Sequence, residues 1–135
     1  MKVLVDTSVW SLALRRKDVK DSSEIVRELS QLISDSMVVM VGPVRQEILS
    51  GISREEVFID LKAKLQPFSD LSVTTNDYEM AAEFSNTCRR NGVQGSHTDF
   101  LICAIACNND LLIFTTDDDF IQYARHLPIR LYRGR

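Results

Sequence analysis

The chain opens with Met1-Lys2-Val3-Leu4-Val5-Asp6-Thr7-Ser8-Val9-Trp10, and near its other end reads Leu111-Leu112-Ile113-Phe114-Thr115-Thr116-Asp117-Asp118-Asp119-Phe120. Each stretch is a short apolar run that gives way to hydroxyl and carboxylate side chains. Neither run alternates with polar residues, so each reads as a strand covered on both faces, the pattern of a parallel sheet. Met37-Val38-Val39-Met40-Val41 has the same character, and Leu71-Ser72-Val73-Thr74 and Ile129-Arg130-Leu131-Tyr132 are shorter candidates.

Helical patterns fill the intervals. A loop is expected after Trp10, and then Ser23 to Ser34 carries Ile25, Leu29, Leu32 and Ile33 at helical spacing. Gly42-Pro43 suits the start of a helix that Gly51 ends. Ser53-Arg54-Glu55-Glu56 reads as a capping box for a helix stopped at Pro67. Asn76 with Glu79 is expected to cap the next one, which turns Ala81, Phe84 and Cys88 inward and closes at Asn91-Gly92. A helix beginning at Ser96 or Thr98 is apolar nearly all round from Phe100 to Cys107, and a last one spans Asp117 to His126. Strands alternating with helices predict an α/β fold: a mainly parallel, short-stranded central sheet with helices on both faces.

The 135 residues fit one domain, 1–135, with no repeat or low-complexity stretch to divide it. Hydrophobic residues at 44% and charged residues at 26% exclude a disordered or collagen-like chain. No apolar run approaches the length of a transmembrane helix, so no membrane association is expected. Asp6 interrupts the amino-terminal apolar stretch where a signal peptide would continue, so the expected location is the cytoplasm. The three cysteines (Cys88, Cys103 and Cys107) form no disulfide framework or complete metal-ligand set and read as small core residues.

In a parallel sheet, ligands bind beyond the carboxyl ends of the strands. Asp6 follows the first strand, and Asp117, Asp118 and Asp119 follow the fourth. Asp99 lies in the first turn of the apolar helix, and Glu47 in the helix leaving the second strand. Taken singly, each fits a turn, a helix cap or a solvated face. Together they would repel one another in a partly desolvated cleft unless a cation compensated. Oxygen donors without His or Cys select a hard divalent ion, Mg²⁺ or Mn²⁺. Phosphodiester hydrolysis is the chemistry that such a site suits.

Four segments carry a family resemblance: Asp6-Thr7-Ser8-Val9-Trp10, Gln46-Glu47-Ile48-Leu49-Ser50-Gly51, Thr98 to Ala106, and Thr115-Thr116-Asp117-Asp118-Asp119-Phe120. In order and spacing they resemble PIN domains, and most closely the VapC-type toxins of toxin–antitoxin pairs. The resemblance implies a three-layer PIN-like fold and a Mg²⁺- or Mn²⁺-dependent endoribonuclease cutting single-stranded or looped RNA, whether tRNA, rRNA or mRNA. It also implies a homodimer and a VapB-like antitoxin that silences the active-site groove. By motif position, Asp6, Glu47, Asp99 and Asp117 match the family's catalytic quartet. Asp6, Asp99, Asp117 and Asp119 match its metal-binding acids, and Thr7, Ser8, Thr115 and Thr116 the hydroxyl residues that support them.

The net charge of −3 speaks against nucleic-acid binding, but without Asp6, Glu47, Asp99, Asp117 and Asp119 those five negative charges are gone and +2 is left. Candidate phosphate contacts are Arg15, Arg16, Lys17 and Lys20, then Arg89-Arg90 and Arg130, Arg133 and Arg135. His97 is a further candidate contact beside a surface-loop reading, and Trp10 suits core or dimer packing better than stacking on a base. Val9 and Trp10 are also candidate dimer contacts. Two rivals remain: a PIN-like module that binds RNA or protein without cutting, and a phosphatase or receiver domain of similar build. Ser8 stands where a haloacid-dehalogenase-type phosphatase needs a second Asp, and Ile129 to Arg135 holds no receiver lysine.

Overall fold

A computed structural model of the chain describes residues 1–15 and 23–133. Its sheet is built from β1 (Val3–Val5), β2 (Val38–Val41), β3 (Asp70–Leu71) and β4 (Leu112–Phe114), all parallel, in the order β3-β2-β1-β4. Leu4 is flanked by Val39 on one side and Ile113 on the other, and all three β1 residues are buried. The fully apolar strand thus lies at the centre, as an apolar run covered on both faces should. The winding runs outward from β1 through β2 to β3, then returns to place β4 on β1's opposite side. That reversal opens a crevice beyond the carboxyl ends of β1 and β4.

Seven helices are described: α1 (Thr7–Arg15), α2 (Ser23–Ser34), α3 (Gly42–Leu49), α4 (Glu55–Leu65), α5 (Thr75–Arg90), α6 (His97–Asn108) and α7 (Asp119–Ala124). In α6, Phe100 through Ala106 are all buried, as its apolar sequence predicts. Cys88 and Cys103 lie in the core, Cys107 is half-buried, and all three are free thiols. Among the described residues no helix is long and apolar enough to cross a membrane.

Several local expectations need correction. The loop expected after Trp10 begins instead as α1, with the Asp6 carbonyl accepting from Val9 N and Trp10 N at 3.1 and 3.3 Å. Val9 and Trp10 are therefore core residues, 0% and 2% exposed, available neither to a dimer partner nor to a base. Trp10 meets Phe68 edge-on, with ring centroids 5.2 Å apart. The Ser53 capping box does not form: Arg54 is the N-cap, without a side-chain cap bond, and its Nε donates to Glu56. The third strand stops at Leu71 because Thr74 caps α5, two residues before the expected Asn76. The last helix is shorter than the expected span to His126. The final strand contracts to one parallel bridge, Ile113 to Leu131. Arg16, Lys17, Lys20 and Arg135 lie outside the described residues, and so does the side chain of Arg15.

The Thr74 cap is reciprocal: Asp77 N donates to Thr74 Oγ1 (3.2 Å), and Thr74 N donates to Asp77 Oδ2 (2.9 Å). Asn108 Nδ2, at the far end of α6, donates to Asp77 Oδ1 at 2.7 Å. Burial pushes the Asp77 carboxyl up, but the bonds from Asn108 and Thr74 outweigh it and hold the group below its usual range. Its stabilising contribution is therefore complete above the ordinary carboxylate pKa and disappears as pH falls through the lowered folded value. Asp77→Ala leaves buried donors unpaired and is expected to cost about 2–3 kcal/mol in urea unfolding. An unchanged midpoint would show that α5 and α6 do not depend on this tie.

Candidate active site

Asp6 is fixed where β1 ends. Its backbone N donates to Phe114 O at 2.8 Å, joining the ends of β1 and β4, and the residue is only 5% exposed. Its Oδ2 accepts from Ser8 Oγ (2.9 Å) and from Thr115 Oγ1 (2.8 Å). Both hydroxyl oxygens accept in turn, Ser8 Oγ from Thr116 N and Thr115 Oγ1 from Asp117 N, each at 3.0 Å. Two chains of donors thus run from the backbone after β4, through the hydroxyls, to one carboxylate oxygen. Each bond in such a chain polarises the next. Thr115 acts through its side chain and Thr116 through its backbone.

The remaining acids stand around this lattice. Asp117 Oδ1 accepts from Asp119 N at 2.9 Å, an Asx turn that opens α7. Asp99 is the third residue of α6, and its N donates to Ser96 Oγ at 3.0 Å. That leaves the Asp99 carboxylate unused by the cap and able to accept from Tyr123 Oη, 2.7 Å from Oδ2. One carboxylate oxygen from each of Asp99, Asp117 and Asp119 lies within 4.8 Å of the others. Asp6 stands outside that trio, one bonded link behind Asp117. Glu47, exposed on α3, accepts from Thr7 Oγ1 at 2.8 Å. Glu47 and Thr98 line the same groove of about 390 Å³, which brings Glu47 to the residue beside Asp99.

Burial pushes the Asp99 carboxyl up. The Tyr123 and Ser96 bonds counter this in part, while the charges of Asp6 and Asp117 push it further. Burial and the neighbouring Asp99 likewise hold the Tyr123 phenol well above its ordinary value, so it stays a donor. The sequence reading missed Tyr123, although it stands one helical turn after Asp119 in a helix that reading did predict.

It missed Gly95 for a different reason, since nothing in the residue type announces a packing role. A Cβ there would fall 2.7 Å from Tyr123 Cζ and 2.9 Å from Phe100 Cζ, closer than carbons approach, and closer still to the tyrosine oxygen. Tyr123 and Phe100 are buried against each other, so neither ring has room to retreat. Gly95→Ala is expected to cost about 1–3 kcal/mol and to draw the phenol away from Asp99. A thermal melt identical to wild type would refute the tight fit.

A model of the PIN domain matches residues 3–126. The chain belongs to the PIN domain family. Among solved structures, this PIN domain is similar to FitAcB from Neisseria gonorrhoeae, at TM-score 0.77 and 20% identity over 97% of this chain and 96% of that one. It is similar also to VapBC2 from Rickettsia felis, solved bound to a DNA fragment from their promoter, at TM-score 0.77 and 14% identity over the whole of both chains. VapC20 from Mycobacterium tuberculosis, described as a sarcin–ricin-loop-cleaving toxin, matches at TM-score 0.69 and 19% identity over 96% and 99%. At such identities the likeness shows the shared fold. A comparison with curated proteins finds no match.

The donor set of this PIN domain fits a hard divalent cation. Three carboxylates converge within 4.8 Å, and burial with like charge drives the Asp99 pKa upward. Such a trio costs free energy that a positive ion would recover, and oxygen donors are the ones that Mg²⁺ and Mn²⁺ prefer.

Proposed function

We propose that this PIN domain is a Mg²⁺- or Mn²⁺-dependent endoribonuclease acting on single-stranded or looped RNA, the toxin of a VapBC-like pair in the cytoplasm. The observation that carries this reading is the convergence of Asp99, Asp117 and Asp119 in front of Asp6, at the crevice between β1 and β4. Asp99, Asp117 and Asp119 would hold the cation. When bound, it supplies positive charge for the phosphate oxygens and acidity for a water.

The chain's own groups do the rest. Asp6, gripped by Ser8 and Thr115, sets the backbone that presents Asp117. Tyr123 orients the Asp99 carboxylate. Glu47, steadied by Thr7 and open to solvent, is the proton acceptor on the substrate side. A VapB-like antitoxin is the proposed partner, supported by fold neighbours solved as VapBC and FitAcB, and a homodimer is the proposed active form.

The test is cleavage of a labelled single-stranded RNA by the purified chain. Cutting is expected with Mn²⁺ or Mg²⁺ and none with EDTA. Cutting that persists in EDTA would remove the metal from the reading. RNA bound but uncut at saturating Mn²⁺ would favour the non-cleaving binding module.

A further inference from the structure

A second groove, of about 420 Å³, runs between α5 and the start of α6 and reaches Thr98, the residue before Asp99. Thr98 lines both this groove and the one that holds Glu47, so the two form a track passing beside Asp99. On α5 the wall is made by Tyr78, Ala82, Ser85 and Arg89, spaced so that they share one helix face. The small side chains at 82 and 85 form the hollow, and Tyr78 and Arg89 stand at its two ends. Phe100 and His97 contribute from α6.

The chemistry of this lining is specific in kind. An aromatic and aliphatic surface meets the face of a nucleobase, Ser85 and Asn86 offer hydrogen bonds to its edge, and a guanidinium meets a phosphate. The volume falls within the range of small-ligand pockets, about 300–1,000 Å³. Arg89 is exposed and makes no ion pair among the described residues, whereas Arg45, Arg54 and Arg130 each pair with an acid. An unpaired cation in a groove that shares Thr98 with the one holding Glu47 is placed for an anionic ligand that spans both, and a nucleic-acid strand is such a ligand.

We propose that the α5–α6 groove holds the strand next to the scissile phosphate of a single-stranded RNA, with a base against the exposed Tyr78 and a phosphate of the same strand on Arg89. The proposal rests on the ribonuclease reading and adds to it the place where the strand is gripped. Selection among RNA targets would then occur here, because the carboxylates meet only the backbone that all targets share.

The experiment measures binding of a short fluorescein-labelled single-stranded RNA by anisotropy in EDTA, so that cleavage plays no part. Ala82→Trp fills the hollow, and Arg89→Glu reverses the charge at a solvated position where folding is not at stake. Arg54→Glu makes the same charge change at the N-cap of α4, outside the groove lining. Ala82→Trp and Arg89→Glu are each expected to weaken binding by about 10-fold or more, and Arg54→Glu by less than about 3-fold. Equal weakening by Arg89→Glu and Arg54→Glu, or Ala82→Trp binding as tightly as wild type, overturns the groove assignment. Sedimentation of Ala82→Trp covers the rival occupant: a dimer that falls to monomer while RNA affinity holds would give the groove to a second copy of the chain. Manganese-dependent cleavage of the same RNA by wild type reports separately on the ribonuclease reading, which survives if only the groove assignment fails.

Discussion

Asp99→Asn is expected to lower RNA cleavage by about 10³-fold or more while making the metal-free protein melt at a higher temperature. The two effects have one cause. The Asp99 carboxyl is pushed up by burial and by the charges of Asp6 and Asp117, so its ionised form is penalised in the folded chain. Asn keeps an oxygen for Tyr123 Oη and removes the charge. With the charge would go the proposed cation ligand and the stabilisation it would offer in the transition state, losses of the size seen when an electrostatic contributor to catalysis is deleted.

The pH dependence has a definite sign. A carboxyl raised on folding favours the fold fully below its unfolded pKa, and that advantage is lost as pH rises through the folded value. The melting gain of the Asn variant should therefore be present near neutral pH and vanish in acid, where Asp99 is protonated in both states. Full cleavage by Asp99→Asn in a preparation free of other nucleases would remove Asp99 from the site. A melting temperature below wild type at neutral pH would show that the tyrosine bond, not the charge, dominates there.

The second large effect is the response to cation. Mn²⁺ is expected to bind the assembled trio and not the unfolded chain, where Asp99 is separated from Asp117 and Asp119. At about 100 times its dissociation constant it should stabilise the fold by roughly 2.7 kcal/mol, a rise on the order of 10 °C for a domain of this size. Asp99→Asn should lose most of that rise. Asp118→Asn should keep it, since Asp118 is outside the trio. Scanning calorimetry against Mn²⁺ gives the answer, and a melting temperature indifferent to millimolar Mn²⁺ would dispose of the cation site.

The central sheet and the positions of its acids were legible because short apolar runs followed by carboxylates leave few architectural options. Asp6, Glu47, Asp99, Asp117 and Asp119 could all be named as candidates, and the structure brings them to one edge of the sheet. What escaped notice depended on three-dimensional neighbours. Helix α1 starts directly after Asp6, with no linker residues to mark it, and its inward face is short, made by Val9, Trp10, Ala13 and Leu14. Thr74 rather than Asn76 caps α5, because the partner that matters is Asp77, whose other oxygen answers to Asn108 far along the chain. Tyr123 and Gly95 gain meaning only through each other. A tyrosine within a helical pattern reads as core, and a glycine in a polar loop reads as a turn.

The bonds that hold the Asp6 carboxylate span almost the entire polypeptide, since Thr115 lies 109 residues further on. Nothing local can substitute for them, and contacts between such remote segments form late and slowly. During synthesis, Asp6 and Glu47 are made well before β4 and the three aspartates after it. A chain still short of Thr115 therefore cannot hold the Asp6 carboxylate in place, and the acidic pocket is withheld until β4 and the residues after it have been made.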